Sequence, residues 1–117
     1  MPADLPVAER IQLAAASSGL VLEEMTTLRR ACERQEPLSY GIRCLISNWE
    51  AAGSDSTRRI FETEFTAAEP ANREMLELTV DAVLSWSNWN QLRQRRDLSI
   101  AQSLAVLRYS LTALLCN

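Results

Sequence analysis

The sequence predicts an all-α protein, a compact bundle of five to six helices that forms one domain over residues 1–117 and pairs with a second copy through its C-terminal helix. Three observations lead to that fold class. Apolar residues recur at three- and four-residue spacing along most of the chain, as on one face of a helix. No run alternates apolar and polar residues, and neither Asn-Gly nor Asp-Gly occurs, so hairpin signals are missing. The three glycines and four prolines stand where helices would start, stop or weaken. A chain of 117 residues is the size of a single core, and 47% apolar with 23% charged residues is an ordinary globular composition.

Taken in order, Asp4 is placed to cap a first helix with Pro6 in its first turn, and Val7, Ile11, Ala14 and Ala15 give that helix an apolar stripe. Gly19 either ends it or weakens a longer helix. A second helix is expected from about residue 20 to 35, with Leu22, Met25, Leu28 and Cys32 at helical spacing. Its other side carries Arg29, Arg30 and Arg34 toward the C-terminal end, where cations complement the helix dipole. Glu36-Pro37 breaks this helix and starts the next, in which Leu38, Ile42, Leu45, Ile46 and Trp49 share one face. Gly41, early in that helix, either permits close approach of another helix or sits in a frayed first turn. Gly53 is the expected C-cap. Ser54, Asp55 and Ser56 then offer N-caps for a fourth helix that carries Ile60, Phe61 and Phe65 and ends at Glu69-Pro70.

A long fifth helix is expected over residues 71–95, with Glu74 in its first turn and Arg93, Arg95 and Arg96 at its end, the polarity that suits the dipole. It would measure roughly 35–40 Å, more than the ~27 Å diameter of a compact chain of this length, so it would project or cross a partner. Asp97 and Ser99 cap the last helix, Ser99 with Gln102 forming a capping box. There Ile100, Leu104, Leu107, Leu111 and Leu114 repeat at alternating four- and three-residue steps, the expected self-association seam. Ala105, Val106, Tyr109 and Leu115 make the other faces apolar as well, so this helix is either central to the core or packs on two sides.

Composition narrows the chemistry. The formal charge is −3, from 12 basic and 15 acidic residues, with no histidine. Every basic residue is arginine, which a GC-rich coding bias produces and which bidentate or stacking contacts also favour. Without histidine there is no side chain that titrates near neutrality in its unperturbed state, no Ser–His–Asp or Cys–His arrangement and no histidine metal site. The acidic residues show no metal-ligand spacing, the glycines make no phosphate loop, and the expectation is a protein that is not an enzyme and needs no cofactor. Cys32, Cys44 and Cys116 form an odd set without a CxxC spacing, as expected of reduced cytoplasmic thiols. The segment Met1–Arg10 bears Asp4 and Glu9 and no apolar run, unlike a signal peptide. The stretch Ile100–Cys116 is too short and too polar to span a membrane.

Two constellations remain as candidates for binding. Trp86 and Trp89 share one helical face within an uncharged polar segment that leads into Arg93, Arg95 and Arg96. They are either core residues or anchors of a partner-binding surface, since Trp and Arg dominate interface hot spots. The candidate partner-binding set is Phe61, Phe65, Trp86, Trp89, Arg93 and Arg96. The arginine groups have acidic neighbours and the sequence pI is about 5.0, whereas a nucleic-acid binder shows a basic domain or stripe. A protein partner is expected, not direct contact with nucleic acid.

The segments SYGIRCLISNWEAAG (Ser39–Gly53) and SIAQSLAVLRYSLTALLCN (Ser99–Asn117), with the size and helical layout of the whole chain, resemble the QslA-type anti-activators of quorum sensing. These are short, acidic, helical bacterial proteins that bind a LuxR-type transcription factor. The resemblance implies a homodimer that binds the regulator's ligand-binding domain, competes with its dimerisation and blocks DNA binding; it assigns no role to individual residues. The last two helices are also similar to the regulatory half of TetR-type repressors, which implies instead a small-molecule-binding domain with tryptophans lining a pocket. A secretion chaperone or an immunity protein fits the composition too.

Overall fold

In the computed structural model, which describes residues 4–116, the chain forms seven α-helices and no strand among those residues. The first three residues of the Met1–Arg10 segment lie outside the described residues. The helices are α1 (Val7–Glu24), α2 (Thr26–Gln35), α3 (Tyr40–Ile60), α4 (Glu62–Ala67), α5 (Pro70–Val83), α6 (Trp86–Asn90) and α7 (Ile100–Leu115). A short 3-10 turn, Glu36–Leu38, joins α2 to α3, and a π-helical turn, Gln91–Arg95, extends α6. The all-α class is as expected, with one helix more than the upper expectation.

α1 buries Ile11, Ala14, Ala15, Gly19 and Leu22 at helical spacing. It runs through Gly19 and breaks at Met25 instead. Gly19 is needed for close approach: a Cβ there would lie 2.5 Å from Leu104 Cδ2 and 3.2 Å from Trp89 Cη2. The most extensive helix–helix contact in the fold is between α1 and α7. They run antiparallel, since Gly19 meets Leu104 while Ile11 and Gln12 face Arg108 and Thr112. Asp4 does not cap α1; Pro6 is the N-cap, and no side chain bonds the first turn.

Three other boundaries differ from the sequence expectation. Gly53 neither caps α3 nor ends it; the helix continues to Ile60 and turns at Phe61. Of the residues expected to cap a new helix, Ser54 donates through Oγ to Asp81 Oδ2 on α5 (2.8 Å) and Asp55 Oδ1 accepts from Arg58 Nη1 (3.1 Å). The long helix over 71–95 is interrupted at Leu84-Ser85. Ser85 Oγ accepts from the Asn88 amide at 3.2 Å and Asn88 Nδ2 donates to the Val83 carbonyl at 2.8 Å; short polar side chains compete for the backbone and cap a fresh helix. No single helix therefore spans 71–95, and the described residues measure 41 × 30 × 24 Å. Ser39, unremarked in the sequence, caps α3 by accepting from the Ile42 amide. The Ser99–Gln102 capping box of α7 forms as expected. Asp97 does not cap it; it takes a left-handed conformation, φ 55°, and turns the chain.

Two apolar clusters fill the bundle. One joins Ile11, Ala14, Phe61, Phe65, Val80 and Leu111; the other joins Ala15, Leu22, Trp86, Trp89 and Leu107. α1 and α7 contribute to both, and Val83 and Leu84 pack against both. Beside the first cluster lies Arg10, only 5% exposed. Its guanidinium donates to Glu64 Oε1 and Oε2 (2.7 and 2.8 Å), to the Ile60 carbonyl (2.8 Å) and to the Leu5 carbonyl (2.9 Å). This bidentate pair fastens α1 to the α3–α4 turn and satisfies a carbonyl at the end of α3 that has no helical partner. The hydrogen bond from Arg10, reinforced by its charge, holds the Glu64 carboxyl below its ordinary value against the opposing effect of burial.

Three predictions follow from this packing. Gly53→Ala, where an added Cβ meets nothing within 4 Å, raises stability by about 0.5–1 kcal/mol. Gly19→Val, in contrast, lowers it by about 2 kcal/mol or more; urea unfolding measures both. Because the native Glu64 carboxyl is depressed, its share of stability is present above the unfolded value near ~4.3 and is lost as pH falls through the native value. Wild-type melting temperature therefore drops on acidification more steeply than that of Glu64→Gln, which starts lower at neutral pH. Parallel pH profiles would contradict this.

Candidate interaction surface

The structure separates the sequence-predicted site residues. Trp86 (7% exposed), Trp89 (0%), Phe61 (0%) and Phe65 (3%) are all core residues. They cannot be surface anchors for a partner in this fold, because α1, α5 and α7 already cover them. The leucine seam of α7 is likewise used within the chain. Leu107 and Leu111 are fully buried, Leu104 and Leu114 are half-buried against the same clusters, and only Ile100 is substantially exposed. Small residues on α1 let these leucines close inward, so Ile100, Leu104, Leu107, Leu111 and Leu114 do not form a dimer seam. Arg93 is a brace: Nε donates to Glu23 Oε1 (2.8 Å) and Nη1 to the Leu98 carbonyl (2.8 Å). Of the candidate partner set, Arg96 alone is exposed.

What the bundle presents outward is a different apolar surface, on the backs of α1 and α7. Leu13 (46% exposed), Ala16 and Leu20 (61%) repeat along α1 opposite its buried stripe. Ala101, Ala105 and Tyr109 (80%) repeat along α7. A shallow groove of about 310 Å³ runs between the two helices, lined by Ala8, Ile11, Gln12, Arg108, Tyr109 and Thr112. Between Glu9 and Glu23 the exposed side of α1 carries no charge, and Arg108 is the sole charged residue of α7. Two sequence signals pointed here: the second stripe on α1, and the absence of a polar face on α7.

The other feature missed by the sequence reading is on α2. Arg29, read as an outer-face charge, is 6% exposed. Its guanidinium carbon lies 5.7 Å from the Trp49 ring centre and 5.4 Å from that of Trp86, a cation held between two π faces. Glu33 and Glu50 approach it at 3.5 and 3.8 Å. Trp86 is fixed in turn by donating Nε1–H to Thr26 Oγ1 at 3.3 Å. The next residue, Arg30, crosses to α6 and the π-turn. It donates to Asn90 Oδ1 (3.0 and 3.2 Å) and to Gln94 Oε1 (2.7 Å). α2 is therefore moored by two arginines, one by stacking and one by neutral amide oxygens.

These surfaces present a largely apolar face with Arg108 at one place and fixed guanidinium groups at another. Among the described residues no three His, Cys, Asp or Glu side chains gather as a metal site, and no helix is long and apolar enough to cross a membrane. Cys32, Cys44 and Cys116 are free thiols, buried, half-buried and exposed respectively.

Because Trp89 is core, Trp89→Ala costs about 3–5 kcal/mol of stability, read from urea unfolding. A loss below about 0.5 kcal/mol, the range of ordinary surface substitutions, would contradict the placement.

Comparison with family models, with curated proteins and with solved structures gave no match to this chain.

Proposed function

We propose that the chain is a regulatory protein-interaction module, a homodimer that binds a transcription factor of the LuxR type and blocks its dimerisation and DNA binding. The observation that supports an interaction role is the largely apolar outer face of α1 and α7, where Arg108 is the one charged residue of α7. Soluble monomers rarely leave a continuous apolar patch open to water. α1 has 18 residues and α7 has 16. At ~1.5 Å per residue and ~10 Å between axes, the pair presents a face of roughly 25 by 20 Å. Two such faces together bury on the order of 1,000 Å², about the lower bound of a specific interface. The dimer proposed from the C-terminal helix is thus kept, but through the back of α7 and of α1 and not through the leucine seam.

The identity of the partner rests on the resemblance of Ser39–Gly53 and Ser99–Asn117 to the quorum-sensing anti-activators. The mechanism is occlusion, the burial of a regulator's own assembly surface at an interface of about 1,600 Å². The alternative of a small-molecule-binding domain has less support, since Trp86 and Trp89 pack on Ala15, Leu22 and Leu107 and do not line the groove between α1 and α7.

Sedimentation equilibrium tests the reading. Wild-type protein sediments at about twice 13.1 kDa, while Leu20→Glu and Tyr109→Glu keep full helicity and sediment as monomers. A monomeric wild type at tens of micromolar, or variants that remain dimeric, would contradict the proposed face. With the ligand-binding domain of a LuxR-type regulator added, a mixed complex replaces the regulator's dimer; a regulator dimer that persists would contradict the proposed partner.

A further inference from the structure

The edge where α2 meets the π-turn gathers positive charge that the fold does not neutralise. Arg30 is held there by Asn90 Oδ1 and Gln94 Oε1, which orient its guanidinium without cancelling its charge. Its Nη1 makes no hydrogen bond among the described residues. Arg34 lies one turn along α2, and Arg95 and Arg96 directly follow Gln94; all three are exposed. Among the described residues none of these four arginines has a carboxylate within 4 Å. Two of the acids nearest by sequence are committed elsewhere: Glu23 to Arg93 at 2.8 Å and Glu33 to Arg29 at 3.5 Å. Glu24, Glu36 and Asp97 make no ion pair among the described residues, and against the four arginines these three acids still leave the edge net positive on a chain of formal charge −3.

The backbone that carries Arg95 and Arg96 is fixed. The Arg96 amide donates to the Gln91 carbonyl at 3.0 Å and the Leu98 amide to the Leu92 carbonyl at 3.1 Å. Asp97, at φ 55°, then reverses the chain in a conformation unusual for a residue other than glycine. Arg93 pins the turn from within through Glu23 and the Leu98 carbonyl. Arginines mounted on a rigid turn lose less freedom on binding than those on a free loop, and guanidinium groups suit bidentate carboxylate recognition.

We propose that this edge docks an acidic peptide segment of a partner protein, its carboxylates meeting Arg30, Arg34, Arg95 and Arg96. The patch is local and the rest of the chain is net acidic. A short acidic segment fits within it, whereas a nucleic-acid strand, with phosphate charge along its whole length, would run onto repelling surface. The inference rests on the reading of the chain as an interaction module and names the chemistry of one partner contact. Its test is independent of sedimentation.

The probe is a fluorescein-labelled oligoglutamate peptide, followed by fluorescence anisotropy at about 50 mM salt, where exposed charges are weakly screened. Wild type binds, binding falls on the order of tenfold or more in Arg95→Glu/Arg96→Glu, and it weakens steeply with added salt. The control Arg58→Glu/Arg59→Glu reverses the other exposed arginine pair and leaves affinity within about threefold. Circular dichroism confirms that each variant is folded; if the double variant is not, Arg34→Glu, at an exposed position of α2, takes its place with the same expected loss. Absence of wild-type binding, equal losses in the two double variants, or tighter binding of a single-stranded RNA probe than of the peptide would each overturn the proposal. None of these results bears on whether the chain sediments as a dimer, so failure here and failure of the dimer reading are distinguishable.

Discussion

The close packing of α1 on α7 is the contact on which the rest of the bundle depends. At Gly19 the two helices approach so nearly that a single methyl group would collide with Leu104 and touch Trp89. Ala14 and Ala15, both essentially buried, extend this narrow seam and let Leu107 and Leu111 reach the centre. Each large apolar side chain so buried contributes about 1.5–3 kcal/mol. Both apolar clusters draw on this helix pair, so a fault in the seam would weaken the two halves of the core together. The same inward turn leaves the backs of the helices, with Leu20 and Tyr109, facing water.

Around that seam, arginine does the joining that a larger core would otherwise do. Arg10 is a satisfied buried cation, with both Glu64 oxygens and two carbonyls as acceptors. Breaking such a pair from one side leaves an uncompensated charge, which is costlier than the net worth of the pair. Arg29 is held differently, between two indole faces with carboxylates at the distance of loose ion pairs. Arg30 is held by neutral oxygens and keeps its charge available. Three arginines, two of them adjacent, thus have three environments and three consequences: a pH-sensitive latch, a stacked mooring and an unneutralised edge.

Much of this was legible in the residues. The 3.6-residue periodicity identified the all-α class and the buried stripe of α1, and the Ser-x-x-Gln spacing identified the capping box of α7. Gly53 misled because it lies inside a helix secured by the Ser54–Asp81 hydrogen bond, a contact made across the fold. Ser85 and Asn88 do break the long helix by a local rule, and the pattern was readable but outweighed by the apolar spacing on either side. The tryptophans and the leucine seam were open to two readings, since spacing shows which residues share a face and not what covers it. Arg10, Arg29 and Arg30 could not be placed from sequence, because Glu64, Trp49, Trp86, Asn90 and Gln94 come near them only in the folded chain.

The fold keeps Phe61, Phe65, Trp86 and Trp89 inside and presents a largely apolar two-helix face at one place and arginines at another. The most direct test of the covered face uses the two tyrosines of the chain. Tyr40 is 74% exposed and Tyr109 is 80% exposed in the isolated fold, so an unpaired chain would modify both alike. Nitration at a protein concentration above the dimer's dissociation constant, with peptide mapping, compares them within one sample. The account predicts that Tyr40 is nitrated while Tyr109 is protected, and that protection is lost in Leu20→Glu; equal nitration of the two in the wild type would contradict it.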